Sequence, residues 1–176
     1  MKKFFSLISS GAVISFGFLM YYSDRLSNNA AWSLIISGVN RSGWELYKPF
    51  ALAYILFILI ELSYLRPSLL RFVCDKITGL LALCAMSLTL GTICGYLPPC
   101  FADAGLIASA VVSVSSAEFL SYKLYKKQIR SDWFAVPLLV AFAAMIFLLI
   151  VLTFYPPHLL PFFDRLSGIY GRPAFL

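Results

Sequence analysis

The chain has 176 residues, 61% of them hydrophobic and 12% charged, with mean hydropathy +0.86 and net charge +6. Soluble domains carry about 25% charged and about 45–50% apolar residues, and one of this size could not bury so much apolar surface beneath a wetted exterior. The composition excludes a soluble globular domain and predicts an all-α polytopic membrane bundle in a single domain over residues 1–176.

Met1-Lys2-Lys3 leads into an apolar run over 4–22. A run of about 19 residues is spanning length, longer than the apolar core of a signal peptide, and no small-x-small cleavage site follows it. It is taken as a first, retained span. Ala30 to Val39 is apolar but too short to cross, so an interfacial or re-entrant helix is expected there, with Trp32 at the headgroup level. Ser42-Gly43-Trp44-Glu45 has the S-x-x-E form of a capping box and opens a second span over 46–65. Pro49 removes the hydrogen bond to the carbonyl of Glu45, and Arg66-Pro67 ends the helix.

Arg66 to Lys76 reads as a short basic loop, and a third span follows over 77–97. Its Gly79, Ala82, Ala85, Gly91 and Gly95 suit close helix packing. Pro98-Pro99-Cys100 is a turn, the Ala- and Ser-rich segment 105–122 a fourth span, and Lys123 to Asp132 the most basic loop. The fifth span covers 133–155, with Trp133 and Tyr155 as interface anchors, and 156–176 is a polar tail punctuated by Pro and Gly. There is no internal repeat.

The loops set the orientation. With the N-terminus inside, Lys2, Lys3, Arg66, Arg71, Lys76, Lys123, Lys126, Lys127 and Arg130 are cytoplasmic, and Arg25, Arg41, Lys48, Arg165 and Arg172 lie outside. The expected location is the inner membrane, N-terminus in and C-terminus out. The expected partners are the lipid bilayer and a membrane protein or second copy, not nucleic acid, since no basic run extends away from the apolar segments.

An ionisable residue inside a span is costly and a default functional candidate. Glu61 and Glu118 each lie five residues before a basic boundary residue, Arg66 and Lys123, so both carboxylates are expected at one depth. Tyr64 and Tyr122 should share their faces. The functional reading is a proton or cation site; the bland one is that each pairs with a boundary cation or reaches interfacial water. A second set gathers on the other side: Asn40, Arg41, Trp44, Glu45, Lys48, Asp103, His158, Asp164 and Tyr170. Glu45 and Lys48, three apart, can pair on one face. His158, the only histidine, could act as a base, though a lone His beside a Pro-Pro turn is more often structural. Cys74, Cys84, Cys94 and Cys100 form no metal-site spacing, and no cofactor is expected; a Cys94–Cys100 disulfide is open if both face an oxidising side. No nucleophile elbow, zinc motif or phosphate loop is present.

Two segments resemble a known family. Val39-Asn40-Arg41-Ser42-Gly43-Trp44-Glu45-Leu46-Tyr47-Lys48 is similar to the P-V-N-E-S-x-W-E-H-x-K motif of a family of small bacterial membrane proteins, catalogued as a domain of unknown function. The tail from Pro156-Pro157-His158 through Asp164 to Gly168-Ile169-Tyr170-Gly171 resembles that family's P-P-H-x-P-x-F-x-D-x-x-T-G-x-Y-G ending, and Glu61 matches a glutamate late in its second span. Leu46 stands where the family has His, Arg41 where it has Glu, and Gly38 where it has Pro. The resemblance implies a multi-span bacterial membrane protein and no particular activity.

The leading expectation is a non-enzymatic module that binds a partner or small ligand at its outer face. The first alternative is a small ion-coupled transporter component using Glu61 and Glu118, which five spans without an inverted repeat would require to work with a partner. The second is a membrane enzyme with an outer site of Glu45, Lys48, His158 and Asp164.

Overall fold

A computed structural model of the chain describes residues 3–23, 33–37, 42–65, 69–94, 96–127, 135–164 and 168–170. It is an all-α bundle. The helices are α1 (Lys3–Tyr21), α2 (Ser33–Ile36), α3 (Gly43–Leu65), α4 (Leu69–Cys94), α5 (Pro99–Lys127) and α6 (Ala135–Phe154). Four stretches, Gly43–Tyr64, Leu69–Cys94, Ala104–Lys126 and Ala135–Phe154, are long and apolar enough to cross a membrane. The described apolar part of α1, Ser6–Tyr21, is shorter.

The helix ends differ from the apolar runs in an instructive way. α4 starts at Leu69, so most of the expected loop before residue 77 is helix. α5 runs from Pro99 through Lys127, so the basic segment after Tyr122 begins as helix too. Charged residues in the end turns of a long helix cost little when their side chains reach a partner or water, and apolarity alone therefore underestimates helix length. α2 and Ser37 are the described part of the helix expected over 30–39; its other residues, Trp32 among them, and Trp133 lie outside the described residues. α3 ends at Leu65, as Pro67 predicts, and runs through Pro49 unbroken.

α4 and α5 form the most extensive pair; α1 packs on α3 and α5, and α3 on α4. The Ser- and Ala-rich sequence of α5 explains its share: Ser109, Ala110, Ser113, Val114, Ala117, Glu118 and Ser121 are buried at helical spacing, while Val111, Val112 and Ser115 are exposed. Ser113 and Ser121 donate back to the carbonyls of Ser109 and Ala117 at 2.7 and 3.0 Å, so neither hydroxyl needs an outside acceptor. On α4, Gly79 is small by necessity, since a methyl there would lie 2.8 Å from the carbonyl oxygen of Ala117. α6 is the most hydrophobic of the four candidate spans and the least buried, the composition of a helix that faces lipid.

The tail folds back on the bundle. A 3-10 turn over Leu160–Phe162 packs on α3 and α4. Strands β1 (Phe163–Asp164) and β2 (Ile169–Tyr170) pair antiparallel. The reversal is made near Gly168, whose positive φ of 70° suits a residue without Cβ and whose N–H donates to the carbonyl of Asp164 at 2.8 Å. All four cysteines are free thiols, so the Cys94–Cys100 disulfide is not formed. Cys94 ends α4 with its side chain against Gly105 of α5.

Candidate functional site

Four helices each place one polar side chain at the same buried point: Ser9 from α1, Glu61 from α3, Lys76 from α4 and Glu118 from α5. Ser9 is 3% exposed and the three charged residues 1% each. Glu61 lies four residues before the end of α3, and Lys76 seven after the start of α4, depths of about 6 and 10 Å along the axes. Glu118 is nine residues from the end of α5, about 13 Å in, deeper than the apolar run alone implied.

The Lys76 ammonium donates to both oxygens of Glu118, at 3.0 Å to Oε1 and 2.8 Å to Oε2. It also lies 2.8 Å from Oε2 of Glu61. That second contact is an ion pair without hydrogen-bond alignment, which leaves Oε2 of Glu61 buried and without a hydrogen bond. The Ser9 hydroxyl bridges the other side, 2.5 Å from Oε1 of Glu61 and 3.3 Å from Oε1 of Glu118. The ammonium also sits 5.3 Å from the ring centroid of Tyr54 and 6.0 Å from that of Phe72, so its remaining surroundings are aromatic faces rather than water. The Tyr54 hydroxyl is 2.8 Å from Oγ of Ser121.

The expected meeting of Glu61 and Glu118 is thus real geometry, and the cation that both pair with is Lys76, expected in the basic loop before the third span and found inside α4. Tyr64 does not share the face of Glu61: it is 76% exposed on the outside of α3. Tyr122 lines a cleft beside α1 with Ser6, Leu7, Ser10, Ser115 and Phe119. Lys76 and Ser9 were not singled out in the sequence. Lys76 is concealed by the charged heptad before it, although Leu69, Phe72, Val73, Lys76 and Gly79 fall at helical spacing. Ser9 has no signal at all, being one of four serines in an apolar run.

The second predicted set is partly assembled. The Ser42 hydroxyl accepts from the N–H of Glu45 at 3.3 Å, the N-cap half of the expected capping box. Lys48 Nζ pairs with Oε2 of Glu45 at 2.8 Å, and both residues are buried. Trp44 stacks between Tyr47 and Phe162 of the tail, with ring centroids 5.7 and 5.1 Å away, and its Nε1 has no hydrogen bond. Asp164 is buried. His158 is exposed, and its ring lies 4.7 Å from that of Tyr170, so it is stacked on the tail rather than set among the buried charges. Asn40 and Arg41, like the side chain of Asp103, lie outside the described residues. Among the described residues, no group of three His, Cys, Asp or Glu could hold a metal ion.

No family model matches the chain, and no curated protein or solved structure matches it either.

Proposed function

We propose that this chain is a multi-pass membrane protein, a component of a proton-coupled carrier, in which the Glu61–Glu118 pair takes up and releases one proton. The observation that supports this reading is a charge count: among the described residues, two buried carboxylates face a single ammonium. With all three ionised, the cluster carries one uncompensated negative charge where such a charge is strongly disfavoured. One proton makes it neutral, and carboxylates that share a site share a proton. The oxygens already stand at hydrogen-bonding distances, so a proton enters without moving a helix, whereas a metal cation would have to displace Ser9 or Lys76. Buried ionisable groups of this kind mark proton relays in pumps and transporters.

The distribution of Lys and Arg supports a cytoplasmic N-terminus, with the cluster toward the cytoplasmic half and the tail outside. The family resemblance supports a bacterial inner membrane. A carrier with five long helices and no inverted repeat works as a dimer or with a partner subunit.

The test is proton uptake by proteoliposomes under an imposed pH gradient, with and without sodium or potassium gradients. Glu61→Gln and Glu118→Gln should each reduce uptake to the level of empty liposomes. Wild-type uptake no higher than that level, or full uptake in both variants, overturns the proposal; uptake that follows a sodium or potassium gradient instead replaces the proton with that cation.

A second reading is a module that binds a partner or small ligand at its outer face. The tail docked on Trp44, beside the buried Glu45–Lys48 pair, favours it.

A further inference from the structure

Ser9 is the one residue that reaches both carboxylates without carrying charge, and its hydrogen-bonding capacity is limited. A hydroxyl has one proton to donate and two lone pairs to accept with. Its oxygen stands 2.5 Å from Oε1 of Glu61 and 3.3 Å from Oε1 of Glu118. If both carboxylates were ionised, both would ask for that single proton and one contact would be a repulsion between lone pairs. If one of the two is protonated at Oε1, both contacts are satisfied: the carboxylic acid donates to Oγ, and Oγ donates to the other carboxylate.

We propose that Ser9 is a proton relay between Glu61 and Glu118, an inference that rests on the shared-proton reading above. The transfer is a concerted double shift. The O–H bond on Oε1 of one glutamate breaks as that proton binds Oγ of Ser9. The original Ser9 proton passes at the same time to Oε1 of the other glutamate. One O–H bond is lost on the first carboxyl, one is gained on the second, and the serine ends as it began. The charge of the cluster is unchanged. Lys76 stays paired with both carboxylates throughout, at 2.8 Å from an oxygen of each, so the charge moves from one side of a fixed ammonium to the other. Tyr54, the other titratable group facing this point, has its hydroxyl engaged with Ser121 and lies outside the relay.

A cleft lies beside the turn of α1 that carries Ser9. A cleft of about 400 Å³ between α1 and α5 is lined by Ser6 and Ser10, Ser115, and the rings of Phe119 and Tyr122. Ser6 is one turn before Ser9 on the same buried face, and Ser115 is about one turn before Glu118. Leu7 completes this lining, and Ser9, Glu61 and Glu118 lie behind it, buried.

The experiment uses the full-length chain in lipid nanodiscs, followed by infrared spectroscopy of the protonated carboxyl band and its exchange in heavy water. The expected wild type shows one protonated glutamate per chain, absent from Glu61→Gln and Glu118→Gln, because each leaves a neutral Lys–Glu pair. Ser9→Ala should keep the band, now with the frequency of a carboxyl lacking its hydroxyl partner, and slow its exchange at least tenfold. Ser9→Thr, which restores the hydroxyl, should return both toward wild type. A wild type without the band removes the shared-proton reading and the relay with it. A band that vanishes in the Gln variants but is unchanged in frequency and exchange rate by Ser9→Ala overturns the relay alone. Retained thermal stability of Ser9→Ala shows that the slowing is not a loss of fold.

Discussion

Lys76 is the residue whose removal tests the cluster most directly. Each of its two ion contacts spans 2.8 Å. At an effective dielectric of about 20, each attraction is roughly 6 kcal/mol before the desolvation that opposes it. Lys76→Met keeps the length and bulk of the side chain but leaves two buried carboxylates facing each other. Removing one partner of a buried ion pair costs about 3–5 kcal/mol. For a protein of this size each kcal/mol moves the melting temperature by about 2–4 °C, so a drop of roughly 10 °C is expected. The triple variant Lys76→Met/Glu61→Gln/Glu118→Gln carries no charge at this point, and its stability should return to within about 1 kcal/mol of wild type, because a buried ion pair and a well-packed neutral replacement are often equivalent. Thermal unfolding in mild detergent, followed by tryptophan fluorescence, measures both. A Lys76→Met protein that melts with the wild type, or a triple variant as unstable as the single one, would refute the claim that the Lys76 ammonium offsets the buried carboxylates.

Trp44→Ala should cost about 3–5 kcal/mol and loosen the tail, seen as faster proteolysis beyond Tyr155; unchanged cleavage would mean that Phe162 does not hold the tail. Glu45→Ala removes one partner of a buried ion pair and should destabilise by up to about 3–5 kcal/mol, whereas Glu45→Ala/Lys48→Met should cost less than the sum of the two single changes, so strictly additive losses would deny the pair its coupling. Gly79→Val forces a side chain against the carbonyl of Ala117 and should cost at least about 1–3 kcal/mol, while Ala85→Val on the exposed face of α4 should stay within about 0.5 kcal/mol; equal melting temperatures would refute the close approach of α4 and α5.

The sequence reading located the apolar helices and both carboxylates, because burial in lipid leaves a strong mark on composition. It also fixed the end of α3 at Pro67 and the cap at Ser42, since proline and a capping serine act locally. What it missed are facts about partners. Lys76 was assigned to a loop because charge was read as the end of a helix, yet a charge with two carboxylates waiting for it can stand inside one. Ser9 was invisible for the opposite reason: a serine in an apolar run costs little, and only the arrival of three other helices gives it something to bridge. Tyr64 was placed beside Glu61 by spacing of three, but helical spacing sets neighbours along a face and not which way the face turns. The second set was legible as a neighbourhood in that the tail does reach Trp44, and His158 stands exposed beside Tyr170.

The order in which the cluster's charges occur along the chain bears on how the protein enters a bilayer. Glu61 ends one apolar segment and Lys76 begins the next, only fifteen residues later. They therefore become available as a helical hairpin, and a hairpin that pairs its own acid and base presents no net charge to the lipid while it is being inserted. Glu118 follows on a later helix and finds the ammonium already in position. Only then is the second carboxylate added, at a stage when α1 can supply Ser9 and the neighbouring helices can exclude lipid. The same lysine that later holds two carboxylates together thus serves first as the escort that lets the earlier one into the membrane.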